Sequence, residues 1–138
     1  MGVEFCDDRP RIWYPGNRGH VAIQLTDSAR TDWKSALFQL AHEVIHLLAP
    51  LGHKGAFNIE EGLATRFSHI ISARHALGYR SNIAAYLRAE ADVIALLAID
   101  PQAIRKIKER EISFNKMTSE LLAEVSPNLP PDLAARLC

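Results

Sequence analysis

His42, Glu43 and His46 stand in an otherwise apolar run, and their types and spacing suit a metal site. From Ala36 to Ala49 the polar residues are Gln39, His42, Glu43 and His46. Steps of three and four put all of them on one stripe of a helix. Leu37, Phe38, Leu40, Val44, Ile45, Leu47 and Leu48 fill the remaining surface, which predicts a helix buried on nearly all sides. A buried imidazole or carboxylate with no partner is costly, on the order of several kcal/mol. Something must therefore satisfy the stripe: a Zn²⁺ ion, or a hydrogen-bonded network joining this helix to the next. Histidines at i and i+4 point the same way, and each can give a ring nitrogen to one Zn²⁺ at about 2.0–2.1 Å. Glu43 lies beside that metal position. There it can take a proton from a metal-activated water and return it to a leaving amine.

A catalytic zinc wants three protein ligands, and the HExxH run supplies two. Glu60, Glu61 and His53 are the candidates for the third. Glu60 and Glu61 open a second helix in Asn58-Ile59-Glu60-Glu61-Gly62-Leu63-Ala64, where the helix dipole alone already favours acids. His53 lies in the connector before that helix.

HExxH followed by a helix beginning Glu-Glu-Gly-Leu-Ala resembles the gluzincin zinc metallopeptidases, over residues 20 to about 70. The resemblance implies that Glu61, immediately before Gly62, completes the zinc site with His42 and His46, and that Glu43 is the general base. It implies that residues 20–26 form a strand that binds extended substrate by edge pairing. It also implies that the residue one turn after the glutamate, here Thr65, orients a histidine ligand, a role an aspartate would fill more strongly. The metzincin pattern HExxHxxGxxH fits less well: Ala49 holds its glycine position, Gly52 its last histidine position, and His53 comes one residue late. For the developing oxyanion, Tyr79, Tyr86, His69, His75, Arg66 and Arg80 are available, and spacing selects none of them.

The rest of the chain must position these groups. Ile12-Trp13-Tyr14 and residues 20–26 read as strands either side of a hairpin turn at 15–19, after an irregular segment over 1–10. The first helix is predicted from Thr31 or Asp32 to Pro50, and the second from an N-cap at Asn58 to about Ala76, ended by Gly78. A third is expected from a cap at Ser81 or Asn82 to Ile99. Asp100-Pro101 opens a fourth. Ser119–Val125 forms a fifth, and residues 132–137 make a last turn. Trp33 and Phe38 read as core residues, Tyr86 packs among Ile83, Leu87 and Ile94, and Asp92 pairs with Arg88. The fold class is α+β and zincin-like: a small antiparallel sheet, an active-site helix, a glutamate helix and further C-terminal helices, in one domain over 1–138.

Bulk properties narrow the function classes. Sixteen basic residues balance sixteen acidic ones. The run Arg105–Arg110 interleaves isoleucine and glutamate, as a solvated helix face does, so no nucleic-acid partner is expected. Cys6 and Cys138 have no metal-ligand spacing and read as free thiols of a reducing compartment. The N-terminus carries no apolar leader, and Arg88, Glu90 and Asp92 interrupt the segment 83–99, so no membrane partner and a cytoplasmic location are expected. The expected activity is zinc-dependent hydrolysis of a peptide or protein substrate. The alternative is a catalytically inert zincin-like domain acting as a binding or regulatory module.

Overall fold

The computed structural model describes residues 1–16, 19–48, 56–110 and 114–138, the side chain of Asn115 excepted. Three strands, β1 (Gly2–Cys6), β2 (Arg11–Trp13) and β3 (Ala22–Thr26), precede six helices: α1 (Trp33–His46), α2 (Asn58–Arg74), α3 (Ala84–Ile99), α4 (Ala103–Arg110), α5 (Ser119–Val125) and α6 (Pro131–Leu137). The class is α+β. The chain forms two compact units, a sheet unit of residues 1–54 and 66–81 and a helical unit of residues 55–65 and 82–138. Helix α2 runs unbroken from one unit into the other. Among the described residues no helix is long and apolar enough to cross a membrane.

In the sheet unit the strand order is β1-β3-β2. β2 pairs antiparallel with β3, with Ile12 opposite Ile23, as the hairpin reading predicts. The segment expected to be irregular instead supplies β1, which pairs parallel with β3 from Gly2↔Ala22 to Cys6↔Thr26. The sheet is therefore mixed, not antiparallel. A parallel pair needs a long crossover, and residues 7–21, with β2 inside them, provide it. β1 gains its place through Phe5, which packs with Ile12, Ala36, Leu40, Val44 and Leu47 around buried Ile23, Leu25 and Ala29. The opposite face carries a polar ladder at matching register. Arg11 Nε donates to Gln24 Oε1 at 2.7 Å, and Gln24 Nε2 donates to Glu4 Oε2 at 3.3 Å.

The helical unit has a larger apolar core. Ile59, Val93, Leu96, Ile107, Phe114, Leu122 and Leu137 are all at 0 % exposure. Asp100 ends α3 and turns the chain into α4: its Oδ1 accepts from Gln102 N at 3.0 Å and its Oδ2 pairs with Lys106 Nζ at 2.7 Å. α4 exposes Arg105 and Lys106 and buries Ile107, which agrees with the solvated face read from sequence. Asp92 pairs with Arg136 at 3.0 Å, not with Arg88, because α6 presents a guanidinium already held by Asp132 at 2.8 Å. Ile83, Leu87 and Ile94, expected around Tyr86 in a core, are 50 %, 38 % and 44 % exposed, because α3 turns Ala89, Val93 and Leu96 inward instead.

Candidate metal centre

Helix α1 starts where the sequence predicts. Asp32 is its N-cap, and Oδ1 accepts from Lys34 N at 3.0 Å and Ser35 N at 3.2 Å. Oδ2 of the same carboxylate accepts from the Tyr79 hydroxyl. That bond, more than any other contact, holds the Asp32 carboxyl below its ordinary pKa and raises the Tyr79 phenol above its own. Tyr79 stacks on Phe38, with ring centroids 5.8 Å apart, and Phe38 stacks on His69 at 6.1 Å. Trp33, expected in the core, is 63 % exposed. It occupies the first turn of α1, where its indole is open to solvent and lies beside Lys34. α1 is consequently half-buried along much of its length, with Ser35, Ala41 and Glu43 its buried residues.

The polar stripe of α1 divides into two jobs. Gln39 is fully engaged by the end of β3: its Oε1 accepts from Thr26 N at 2.9 Å, and its Nε2 donates to Thr26 Oγ1 at 2.8 Å and to Ser35 Oγ at 3.0 Å. It fastens the helix to the sheet. One and two turns on, the rings of His42 and His46 stand 5.2 Å apart, tilted by 59°. Glu43 sits between them in sequence and is only 5 % exposed.

Helix α2 brings the third group. One ligand atom each from His42, His46 and Glu61 all lie within 4.8 Å of one another. Glu60 is buried but does not join this group, and His53 lies outside the described residues. The helix expected to run to Pro50 ends earlier, at His46 with Leu47 as its C-cap. Two imidazole nitrogens and one carboxylate oxygen are a donor set that zinc accepts with a coordination position left open, so the residues fit the ion. Thr65, one turn after Glu61, is at 0 % exposure, and its Oγ1 and Glu61 Oε2 are shielded atoms.

Local causes place Glu61. Its N–H bonds to Phe57 O at 3.0 Å, so the carbonyl of Phe57 accepts the first helical bond of α2. Asn58, predicted as the N-cap, is instead the first helical residue, and its Nδ2 donates to Arg136 O at 2.7 Å. A Cβ on Gly62 would come within 2.3 Å of Ala89 O and 2.7 Å of Val93 Cγ2. α2 and α3 thus cross too closely for any side chain there. This packing alone accounts for the glycine of Glu-Gly-Leu-Ala, so that residue adds nothing independent for a metal.

Several expected residues are placed differently. Residues 20–26 cannot bind substrate along a free edge, because β3 is the central strand with β1 and β2 on its two sides. Tyr79 is committed to Asp32. His69, one of the oxyanion candidates that spacing does not select, is 8 % exposed, and its Nε2 accepts from Ser81 N at 3.0 Å. It belongs to a buried polar stripe, Thr65, Ser68, His69 and Ser72, whose i, i+3, i+4 and i+7 spacing is visible in the sequence. Comparison with known protein families, with curated proteins and with solved structures finds no match to this chain.

Proposed function

We propose that this chain is a small zinc-dependent peptidase of zincin-like arrangement, cutting within peptide or protein substrates. One observation carries the reading: the approach of His42, His46 and Glu61 ligand atoms to within 4.8 Å. His42, His46 and Glu61 would hold the ion, and zinc, when bound, makes water nucleophilic near neutral pH and polarises a carbonyl. Glu43 moves the proton. Its carboxylate accepts it from the attacking water and delivers it to the nitrogen of the breaking amide bond. Burial of Glu43 keeps bulk water from competing for that proton. Substrate in extended form would lie along the outer edge of β2, which flanks β3 on the side opposite β1.

A second reading is an inert zincin-like domain that binds a partner, and the commitment of Tyr79 to Asp32 favours it, since that removes one oxyanion donor. One set of proteins separates the two. Elemental analysis of protein purified without chelator should find about one zinc per chain, lost in His46→Ala and kept in Glu43→Gln. Hydrolysis of a mixed peptide library should fall roughly 10²–10⁴-fold in Glu43→Gln. A zinc-loaded wild type that cleaves nothing selects the inert domain. A wild type that takes up no zinc removes both readings and leaves a structural polar network.

A further inference from the structure

Between Gly62 and Ala89 the chain has no aspartate or glutamate, yet it carries Arg66, Arg74, Arg80, Arg88, His69 and His75. All sixteen acids lie elsewhere. Arg11, Arg30, Arg105, Arg110 and Arg136 each pair with a carboxylate. The four arginines of the acid-free stretch have no ion-pair partner among the described residues. Three of them belong to the sheet unit. Arg66 and Arg74 sit two turns apart on α2 with Ile70, 47 % exposed, between them, and Arg80 follows the helix end.

Arg80 also lines an open depression of about 280 Å³ with His69, Ser72, Ala73, Ala76, Gly78 and Tyr79. Sites for drug-sized ligands run from roughly 300 to 1,000 Å³, so this one falls just short of that range and has room for a side chain together with part of its backbone. Its other polar groups are engaged. Ser72 Oγ bonds Tyr79 O at 2.7 Å, His69 Nε2 bonds Ser81 N, and the Tyr79 hydroxyl bonds Asp32. Arg80 is the cation left at its rim.

We propose that this face docks an acidic peptide segment, with one carboxylate side chain entering the depression beside Arg80 and others meeting Arg66 and Arg74. Charge complementarity selects an anion, and the exposed Ile70 with Ala73 and Ala76 suits a peptide carrying apolar residues. Single-stranded nucleic acid calls for aromatic rings on which bases stack, and here Phe38, His69 and Tyr79 stack on each other. The surface needs no metal, so it stands whether or not the chain hydrolyses anything.

Fluorescence anisotropy tests it with the full chain and two labelled peptides, one with glutamates spaced among leucines and one with glutamines in their place. The acidic peptide should bind at least about tenfold more tightly at 50 mM than at 300 mM salt, because screening lengths shorten across that range. The glutamine peptide should bind about tenfold more weakly. Arg66→Gln/Arg80→Gln should abolish the difference with an unchanged circular dichroism spectrum, and Arg80→Lys should restore part of it when combined with wild-type Arg66. Equal binding of the two peptides, or full binding by the double variant, overturns the proposal. So does capture of oligonucleotides or anionic vesicles at these arginines without capture of the acidic peptide.

Discussion

Each of the two units has its own internal chemistry of cohesion. In the helical unit, Ile59, Val93, Leu96, Ile107, Phe114, Leu122 and Leu137 are all excluded from water in one continuous apolar cluster. In the sheet unit the buried cluster is Ile23, Leu25 and Ala29, packed by half-buried Phe5, Ile12, Ala36, Leu40, Val44 and Leu47, and polar contacts add to this smaller core. Gln39 ties α1 to Thr26, Asp32 ties the start of α1 to Tyr79, and Ser72 and His69 hold the chain after α2. Apolar burial is non-directional and accumulates with area, whereas hydrogen bonds contribute modestly but fix orientation. His42, Glu43 and His46 thus sit in the part of the molecule where geometry, more than bulk burial, holds the structure. The proposed metal chemistry depends on ligand placement, and directional contacts of this kind would serve it.

Phe114→Ala should expose this difference most. Phe114 is at 0 % exposure, with Lys108 Nζ 4.7 Å from its ring centre. Truncating a fully buried phenylalanine costs about 3–5 kcal/mol. Both tryptophans, Trp13 and Trp33, belong to the sheet unit, so their fluorescence reports on that unit while far-ultraviolet circular dichroism weights the helices. In urea unfolding, the dichroism transition should move further than the fluorescence transition. A larger shift in fluorescence would show that stability is not concentrated as the burial pattern indicates.

Gln39→Ala is the converse experiment. It removes three hydrogen bonds and leaves the amide of Thr26, at the end of β3, without its side-chain acceptor. A loss of about 1–3 kcal/mol follows from stranding a part-buried backbone donor. Here the fluorescence transition should move first. An unchanged fluorescence midpoint would mean that Gln39 is incidental to how α1 meets the sheet.

What could be read from sequence divides by how local its cause is. His42 and His46 are one turn apart on a single helix, so their convergence follows from backbone geometry alone. The cap at Asp32 and helix α5 at Ser119–Val125 are equally local and were legible. Glu61 was different. Its first-turn position is just as well explained by the helix dipole, and only the resemblance pointed to its approach to the histidines. β1 was hidden because only Phe5 ties it to the core, and its partner lies across a crossover that local pattern does not encode. His69 was not selected from sequence because the partners of His69 and Ser72, Ser81 N and Tyr79 O, reach them only after the 77–81 segment folds back. The polar part of the molecule was the harder part to read, since the bonds that fasten it, Thr26 with Gln39, Asp32 with Tyr79 and His69 with Ser81, join residues distant in sequence.

The end of α2 offers the smallest test, and it concerns backbone instead of side chains. From sequence, α2 is expected to run to about Ala76 with Gly78 ending it; the last helical residue is Arg74, and Gly78 does have a positive φ of 80°. The turn that ends the helix is made at Ala76, with φ 48°. There Ala76 N bonds Ala73 O at 3.3 Å and Leu77 N bonds Ser72 O at 2.9 Å, the paired bonds of a Schellman end. A left-handed alanine is disfavoured by roughly 1–2 kcal/mol, because its Cβ crowds the following carbonyl. Glycine relieves that strain but loses about 0.4–1 kcal/mol through the greater freedom of the unfolded chain. Ala76→Gly should therefore stabilise the sheet unit by about 0.5–1 kcal/mol, seen as a small upward shift of the fluorescence midpoint. The same reasoning makes Gly78→Ala destabilising although nothing lies within 4 Å of its would-be Cβ, because the penalty comes from φ and not from space. If Ala76→Gly weakened the protein instead, the methyl group of Ala76 at the rim of the depression would have to be contributing more through packing than it loses through strain.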